Sequence, residues 1–198
     1  MNKILIEAKN KNTPEYRFLK AILAKFFPTC ETNFIFMDGV GNLFSEPIRI
    51  QMLQAGVAGE PVLVLVDADT VDKGNGYKKR KTEIENGMSK SGVQFPYFIY
   101  PDNGGDGDVE TLMLAAARYD KHKIFFDCFN DYERCVSASY QVPNLKGKLH
   151  TYITAQKLSS RQRQKIGSGD WLFEEEDYWD LNVKDLEPLI QFFSDNLK

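Results

Sequence analysis

The fold is decided by the stretch Val62-Leu63-Val64-Leu65-Val66-Asp67-Ala68-Asp69. Its five consecutive apolar residues predict a strand that is buried on both faces, as a central strand of a parallel sheet must be. Two aspartates, Asp67 and Asp69, follow this strand directly. In parallel α/β sheets, ligands bind in the crevice beyond the carboxyl ends of the strands. The same stretch therefore predicts both a fold class and the place to look for a site.

Three further strands are predicted around this one, at residues 3–7, 33–37 and 95–100. Helical patterns separate them: Thr13 and Pro14 begin the first helix, Ser45 begins the second, and residues 77–88 form a polar third helix. Strands that alternate with helices imply right-handed crossovers. We therefore predict an α/β protein with a parallel sheet of about four core strands and helices on both faces.

The last 80 residues show helical patterns and no convincing strand. Apolar faces recur at helical spacing within residues 145–153 and 186–193. A wide face is also predicted from Ile124, Phe125, Cys128, Phe129, Tyr132, Cys135 and Val136. We predict an α/β core at residues 1–118 and a helical extension at residues 119–198 that packs on the core and is not an independent domain.

Composition limits the class of protein. The chain has 198 residues, 42% of them hydrophobic and 27% charged, which is typical of a globular domain. Its apolar runs are strand-sized, so neither a membrane span nor a secretory signal is predicted. Cys128 and Cys135 lie two helical turns apart, too far to bridge, so reduced thiols and a cytoplasmic location are expected. The net charge of -3 argues against a passive, charge-driven nucleic-acid binder.

Further acids follow the other strands. Glu7 ends the first strand, and the fourth runs into a glycine-rich loop with Asp102, Asp106, Asp108 and Glu110. Carboxylates that share one sheet edge repel one another, and a hard divalent cation such as Mg²⁺ relieves that repulsion. Some of these acids also have a structural interpretation: Asp108 as a helix N-cap, Glu110 as a partner of the helix dipole, Asp102 and Asp106 as turn formers.

Other kinds of site are excluded by spacing. An EF-hand register from Asp102 places Gly104 at the third ligand position and Met113 where the bidentate glutamate belongs. His122 and His150 are the only histidines, and the cysteines lack paired ligand spacing, so zinc is not predicted. The sequence contains neither a Walker-type phosphate loop nor a Gly-x-Ser-x-Gly elbow.

Basic residues are concentrated in one segment. Residues 143–169 carry six lysines or arginines and no acid, whereas residues 170–187 carry eight acids and one lysine. Two solvated faces explain this pattern, and so does an arm that contacts phosphates. A second group, Lys73, Lys78, Lys79, Arg80 and Lys81, follows the aspartate pair and has the same two interpretations.

An apolar strand that ends in Glu7, followed by one that ends in Asp67-x-Asp69, resembles the Toprim domain of primases, topoisomerases, OLD-type nucleases and a recombination-repair protein. The resemblance covers about residues 3–118, and residues 107–112 are similar to the glutamate-bearing helix start of OLD-type members. With the late segments 178–180 and 186–189, the chain is similar to a small bacterial Toprim-like group of unknown function. One departure is Ala8, where Toprim domains carry glycine after the glutamate.

The resemblance implies a Mg²⁺- or Mn²⁺-dependent phosphodiesterase, nuclease-like in its action on nucleic acid. The implied catalytic residues are Glu7, Asp67 and Asp69, the implied metal ligands are these three with Asp108 and Glu110, and the predicted nucleic-acid contacts are Lys9, Lys146, Lys148, Arg161 and Arg163. The alternative is a non-catalytic Toprim-like module that binds a nucleotide, nucleic acid or protein partner. OLD-type nucleases carry an ATPase domain, which a separate partner would have to supply here. A flavodoxin-like or receiver-type fold also remains open, and a protein without any site is the third alternative.

Overall fold

The computed structural model describes residues 1–198, except for the side chain of Lys73. Four parallel strands form one sheet in the order β2-β1-β3-β4. They are β1 (Asn2–Ile6), β2 (Thr32–Phe36), β3 (Val62–Asp67) and β4 (Tyr97–Tyr100). The predicted parallel α/β sheet is therefore confirmed. β4 begins two residues later than predicted, after Pro96, which has no backbone N–H to donate to a ladder.

Helices cover both faces of the sheet and continue beyond it. The first part of the chain contains α1 (Pro14–Phe26), α2 (Glu46–Val57), α3 (Tyr77–Ser91) and α4 (Val109–Ala116). The C-terminal segment is helical, as predicted, with α5 (Tyr119–Val136), α6 (Leu145–Thr154), α7 (Ser160–Gly167) and α8 (Glu187–Asn196). α1 begins where the Thr13 hydroxyl accepts a hydrogen bond from the Tyr16 N–H at 3.4 Å, so the predicted N-cap is present.

β3 is buried on both faces. Leu63 and Leu65 face a core that α1, α4, α6 and α8 complete, whereas Val64 and Val66 face a second core made with α2 and α3. All four side chains are 0% exposed. Full burial of such a side chain contributes about 1.5–3 kcal/mol, so this strand anchors the sheet. Because successive side chains of β3 face two different cores, the strand is a continuous apolar run and not an alternation of apolar and polar residues.

The C-terminal segment contributes to the first of these cores. Leu149 and Tyr152 of α6 and Phe193 of α8 belong to the same buried cluster as Ile4 of β1, and so does Trp179 from the segment between α7 and α8. The Trp179 indole N–H donates to the Trp171 carbonyl at 2.8 Å, which satisfies its polar atom inside the core. The division of the chain at residue 118 stays a prediction.

The predicted apolar face of α5 is buried only in part. Phe126 and Phe129 are buried, but four of its neighbours are exposed: Ile124, Cys128, Tyr132 and Cys135. The backbone departs from helical geometry at His122 (φ -120°, ψ 28°), before the predicted face begins, so the face itself is regular helix and its exposure reflects what packs against it. α5 therefore buries one narrow side, where Phe126 packs on Tyr152 of α6.

The cysteines Cys30, Cys128 and Cys135 are free, in agreement with the prediction of reduced thiols. Among the described residues, no helix is long and apolar enough to cross a membrane.

Two of the helical glycines, Gly56 and Gly87, give a test of the packing of α3. A methyl group added at Gly87 would overlap the ring of Phe44, whereas one added at Gly56 of α2 meets nothing within 4 Å. We expect Gly87→Ala to lower the free energy of unfolding by about 1–3 kcal/mol, because Phe44 must leave its place on the second core. Gly56→Ala is expected to be neutral or stabilising by up to about 1 kcal/mol.

Urea unfolding of both glycine variants measures the difference, and each is the other's control for the generic gain in helix propensity. Equal stabilisation by the two substitutions would contradict the contact between α3 and Phe44.

Candidate functional site

Two of the predicted carboxylates meet where the central strands end. Glu7 follows β1, Asp67 is the last residue of β3, and the two strands are neighbours in the sheet. Glu7 Oε1 accepts a hydrogen bond from the Asp67 N–H at 2.8 Å, and Glu7 Oε2 accepts one from the Val40 N–H at 3.2 Å. Asp67 Oδ1 accepts from the Val109 N–H at 2.8 Å. Backbone N–H groups from three separate segments of the chain therefore fix the orientation of both carboxylates.

A third carboxylate, Glu15, was missed by sequence reasoning. It lies in the first turn of α1, and hydrogen bonds from the backbone of Ala8 and Glu7 partly offset the rise in its pKa. Acids are common in the first turn of a helix because they complement the helix dipole, so the presence of Glu15 there did not by itself indicate a functional site. The usable signal was topological: α1 begins directly after β1, so its first turn lies at the same sheet edge as Glu7.

The pKa values show that these acids interact. Burial raises the pKa of Asp67 well above its ordinary value, and the charges of Glu7, Glu15 and Glu110 raise it further. Burial, then Glu7 and Glu110, raises the pKa of Glu15 to about 8. Burial also raises the pKa of Glu7, although hydrogen bonds and the charge of Arg80 oppose this shift. We refer to Glu7, Glu15, Asp67 and Glu110 as the carboxylate cluster.

Asp69 lies beside the carboxylate cluster, and its charge contributes to the raised pKa of Glu7. Its backbone has a positive φ of 59° and exchanges two hydrogen bonds with Gly107, at 2.7 and 2.9 Å. Its carboxylate Oδ2 accepts from Asn75 Nδ2 at 3.2 Å and from Arg80 Nη2 at 3.5 Å. The loop after β3 is thus tied to the loop after β4, which brings both predicted acidic segments to one edge.

Arg80 corrects the interpretation of the basic group after the aspartate pair. Its side chain is only 8% exposed, so it belongs neither to a solvated helix face nor to a free phosphate-binding surface. Besides Asp69, it contacts the Asp67 carbonyl through Nε at 2.9 Å and Glu83 through Nη1 at 2.9 Å. Since α3 carries Arg80 toward the end of β3, the arginine is a fixed counter-charge of the site.

The neighbours of Arg80 differ from it. Lys78 and Lys79 are exposed and Lys81 is partly exposed. Lys79 and Lys81 form i,i+4 ion pairs with Glu83 and Glu85. The side chain of Lys73 lies outside the described residues.

The acids of the loop after β4 have separate roles. Asp108 is the N-cap of α4: its Oδ1 accepts from the Thr111 N–H and hydroxyl, both at 3.0 Å. Asp102 Oδ1 accepts from the N–H groups of Gly104 and Gly105, as a turn former does. Asp106 Oδ1 caps α3 by accepting from the Tyr77 N–H at 2.7 Å. Of this group, Glu110 is the acid that interacts electrostatically with Asp67.

The predicted nucleic-acid contacts are not equivalent. Lys146 Nζ lies 3.4 Å from Glu110 Oε1, at the carboxylate cluster itself. Lys148 is held by Glu133 at 2.9 Å and Asn130 at 2.8 Å, and it lies over the Phe129 ring.

Arg161 and Arg163 are exposed on α7, and Lys9 is exposed 3.9 Å from Asp38. Gly169, just after α7, packs so closely on Asn12 that an added methyl group would lie 2.5 Å from the Asn12 carbonyl. The end of α7 thus abuts the loop that follows Glu7, which brings part of the basic segment near the site.

The arrangement limits how a metal ion could be held. Within the described part of the chain, no three His, Cys, Asp or Glu side chains converge in a geometry that could hold a metal ion. The donors at the carboxylate cluster are hard carboxylates, which suit Mg²⁺ or Mn²⁺ rather than zinc. Mg²⁺ usually keeps several waters and uses one or two carboxylates together with substrate phosphates. The residues fit that sparse mode of binding and do not fit an all-protein cage.

No family model matches the chain, and neither the curated proteins nor the solved structures contain a significant match.

Glu15 predicts a dependence of stability on pH. Its carboxyl group has an ordinary pKa of 4.5 and a pKa of about 8 in the folded protein, so the folded state holds the extra proton between these values. Stability is therefore highest below about pH 4.5 for this group and falls as pH rises to about 8. We expect Glu15→Gln to reduce that fall, on the order of 2 kcal/mol at pH 8, since the side chain is half-buried.

Chemical unfolding at several pH values between 5 and 8, with chelator present, measures this slope. Glu46→Gln is the matched control, because Glu46 is also a first-turn acid but is exposed on α2. A slope that is the same in Glu15→Gln and in the native protein would contradict the placement of Glu15 in the carboxylate cluster.

Arg80 gives a second test of the site. Arg80→Met keeps most of the stem but removes the guanidinium group from the Asp67 carbonyl and from Asp69. We expect a loss of about 1–3 kcal/mol in the free energy of unfolding, because a buried acceptor loses its donor. Lys81→Met removes a partly exposed charge from the same helix and is expected to change the free energy of unfolding by less than about 0.5 kcal/mol. Equal effects in urea unfolding would argue against a buried anchor.

Proposed function

We propose that this chain is a Toprim-like phosphodiesterase that cleaves nucleic acid with Mg²⁺ or Mn²⁺. One observation carries the proposal: at the carboxyl edge of a parallel sheet, burial raises the pKa of Glu7, Glu15 and Asp67, and the charges of neighbouring carboxylates add to each rise. Burying such a cluster without a cation costs free energy. Strongly perturbed carboxylates of this kind are found most often at functional sites. A divalent cation and a bound phosphate would together offset the cost of burial.

The residues would divide the work as follows. One or two of the carboxylates of Asp67, Asp69 and Glu110 would hold the cation together with retained waters. Glu7 would either bind it or take the proton of an attacking water. The bound cation supplies charge stabilisation for the phosphate and for the leaving oxygen. The backbone N–H groups that donate to the carboxylates of Glu7 and Asp67 keep both side chains oriented before substrate arrives. Asp108, with its Oδ1 engaged as the N-cap, is better suited to positioning Glu110 two residues later than to binding metal.

A polyanionic substrate is supported by the cations at the rim. Lys146 lies at the carboxylate cluster, and Arg161, Arg163 and Lys9 are exposed on segments that border it or meet the loop after Glu7. Phosphate contacts of this kind contribute affinity without sequence specificity and weaken as salt rises. Lys148 would act indirectly, since Glu133 and Asn130 hold its ammonium group.

The second candidate is a non-catalytic Toprim-like module that binds a nucleotide, nucleic acid or a protein such as a separate ATPase. Both Glu7 oxygens accept backbone hydrogen bonds, and no three described side chains form a complete metal cage. Ala8 also stands where a close approach to phosphate would favour glycine. These observations favour binding without turnover.

Asp67→Asn separates the two candidates. The amide oxygen can still accept from the Val109 N–H, but the negative charge is lost. We expect cleavage of mixed single- and double-stranded DNA and RNA with Mn²⁺ to fall by about 100-fold or more. In chelator, the variant is expected to be as stable as the native protein or more stable, because one source of repulsion is gone.

Asp38→Asn is the matched control, since Asp38 also follows a strand but is an exposed residue with a positive φ that asparagine tolerates. It is expected to retain cleavage. Equal cleavage by Asp67→Asn and the native protein would exclude this site as the source of activity. Absence of cleavage in the native protein, together with stabilisation by Mn²⁺, would favour the binding module.

A further inference from the structure

The outer face of α2 is apolar although it faces solvent. On the inner side of the helix, Ile48 and Met52 belong to the second core. On the opposite side, Ile50, Leu53 and Val57 are 47%, 50% and 92% exposed. We refer to these three residues as the α2 seam. Since a helix that is apolar on both sides is normally buried on both, the α2 seam is a candidate contact surface.

The exposed side of α2 also lacks charge. Residues 50–59 contain no charged side chain, in a chain of which 27% is charged. The helix α3 covers the same face of the sheet, and it exposes Lys78, Lys79, Glu83, Glu85 and Lys90. Depletion of charge is the compositional mark of the centre of a protein interface. The two neighbouring helices therefore differ as a contact surface differs from a solvated one.

The spacing of the α2 seam fits a second helix. Leu53 lies three residues after Ile50 and four residues before Val57, which is the alternation by which one helix packs along another. The pattern is nearly symmetric about Leu53, with a β-branched residue on either side. A two-fold axis at Leu53 would place it against Leu53 of a second copy, and Ile50 against Val57 of that copy. The α2 seam is therefore complementary to itself.

We propose that the α2 seam binds a second copy of this chain, with the two α2 helices packed antiparallel about a two-fold axis at Leu53. Association would remove from water the apolar side chains that a single copy leaves exposed, and this burial is its driving force. The proposal does not rest on the proposed phosphodiesterase, because no residue of the α2 seam belongs to the carboxylate cluster.

Charges at the two ends of α2 favour the antiparallel orientation. A parallel pair would bring Glu46, which lies four residues before Ile50 on the same side of the helix, against Glu46 of the second copy, and like charges repel. An antiparallel pair brings the exposed Arg49 of one copy to the last turn of α2 in the other. That turn has no basic residue of its own, and the helix dipole favours a cation there.

The contact is short, so a weak dimer is expected. α2 has 12 residues and is therefore about 18 Å long. A groove beside the α2 seam, lined by Gln51 and Gln54 of α2 and by Asn33 of the edge strand β2, extends the surface that a second copy can contact. Small interfaces form transient complexes, and we expect a dissociation constant on the order of 10–100 μM.

Sedimentation velocity of the full chain between about 1 and 500 μM tests the proposal. The native protein is expected to pass from monomer to dimer in this range, and Leu53→Gln to weaken the dimer at least about 10-fold. Leu53→Glu and Leu53→Lys are each expected to stay monomeric, because the two-fold axis brings two like charges together. Mixed in equal amounts, these two variants are expected to associate with an affinity within about 10-fold of the native value, because opposite charges then meet.

Ile124→Glu is the matched control, because it makes the same kind of change at a position of α5 that is 81% exposed. It is expected to dimerise as the native protein does. Far-UV circular dichroism checks the fold of each variant. A native protein that stays monomeric at about 500 μM would overturn the proposal. So would a dimer that persists in Leu53→Glu, that is lost in Ile124→Glu, or that does not form in the mixture of Leu53→Glu and Leu53→Lys.

Discussion

The hydrogen bond from the Asp67 N–H to Glu7 Oε1 joins the two central strands at the point where their backbone pairing ends. The Glu7 side chain supplies an acceptor where the backbone ladder of β1 no longer does. A buried N–H without a partner would cost about 1–3 kcal/mol, so the carboxylate stabilises the sheet edge as well as marking the site. The same geometry fixes Asp67, whose carboxylate accepts from the start of α4. The hydrogen bonds that complete the end of the sheet are therefore the same ones that position the carboxylates of the site.

These hydrogen bonds place several acids near one another, and nearby cations partly offset the repulsion between the carboxylates. Arg80 enters from α3 on one side, and Lys146 enters from α6 on the other. Neither removes the repulsion, since the pKa values of Glu7, Glu15 and Asp67 remain raised. The remaining electrostatic cost is the property that a divalent cation and an anionic substrate would use, because binding would be strongest where the uncompensated charge is greatest.

The helical C-terminal segment has two effects on this sheet. Its apolar residues, such as Tyr152, Trp179 and Phe193, complete the core that also contains β1 and β3. Its basic residues reach the acidic edge, through Lys146 at Glu110 and through the contact of Gly169 with Asn12. Because the two effects come from the same packing, loss of the segment would expose apolar surface and remove Lys146 from the acidic edge together.

The sequence by itself determined the layered fold and the edge at which the acids lie. Five apolar residues before Asp67 can only be satisfied by burial on both faces, and parallel strands place their carboxyl ends together. Tertiary structure alone decided which charges are buried. Glu15 and Arg80 read as ordinary helix acids and bases, because burial depends on what packs against a helix and not on its own sequence. For the same reason the apolar face of α5 was overestimated: its narrow contact with α6 is set by distant residues.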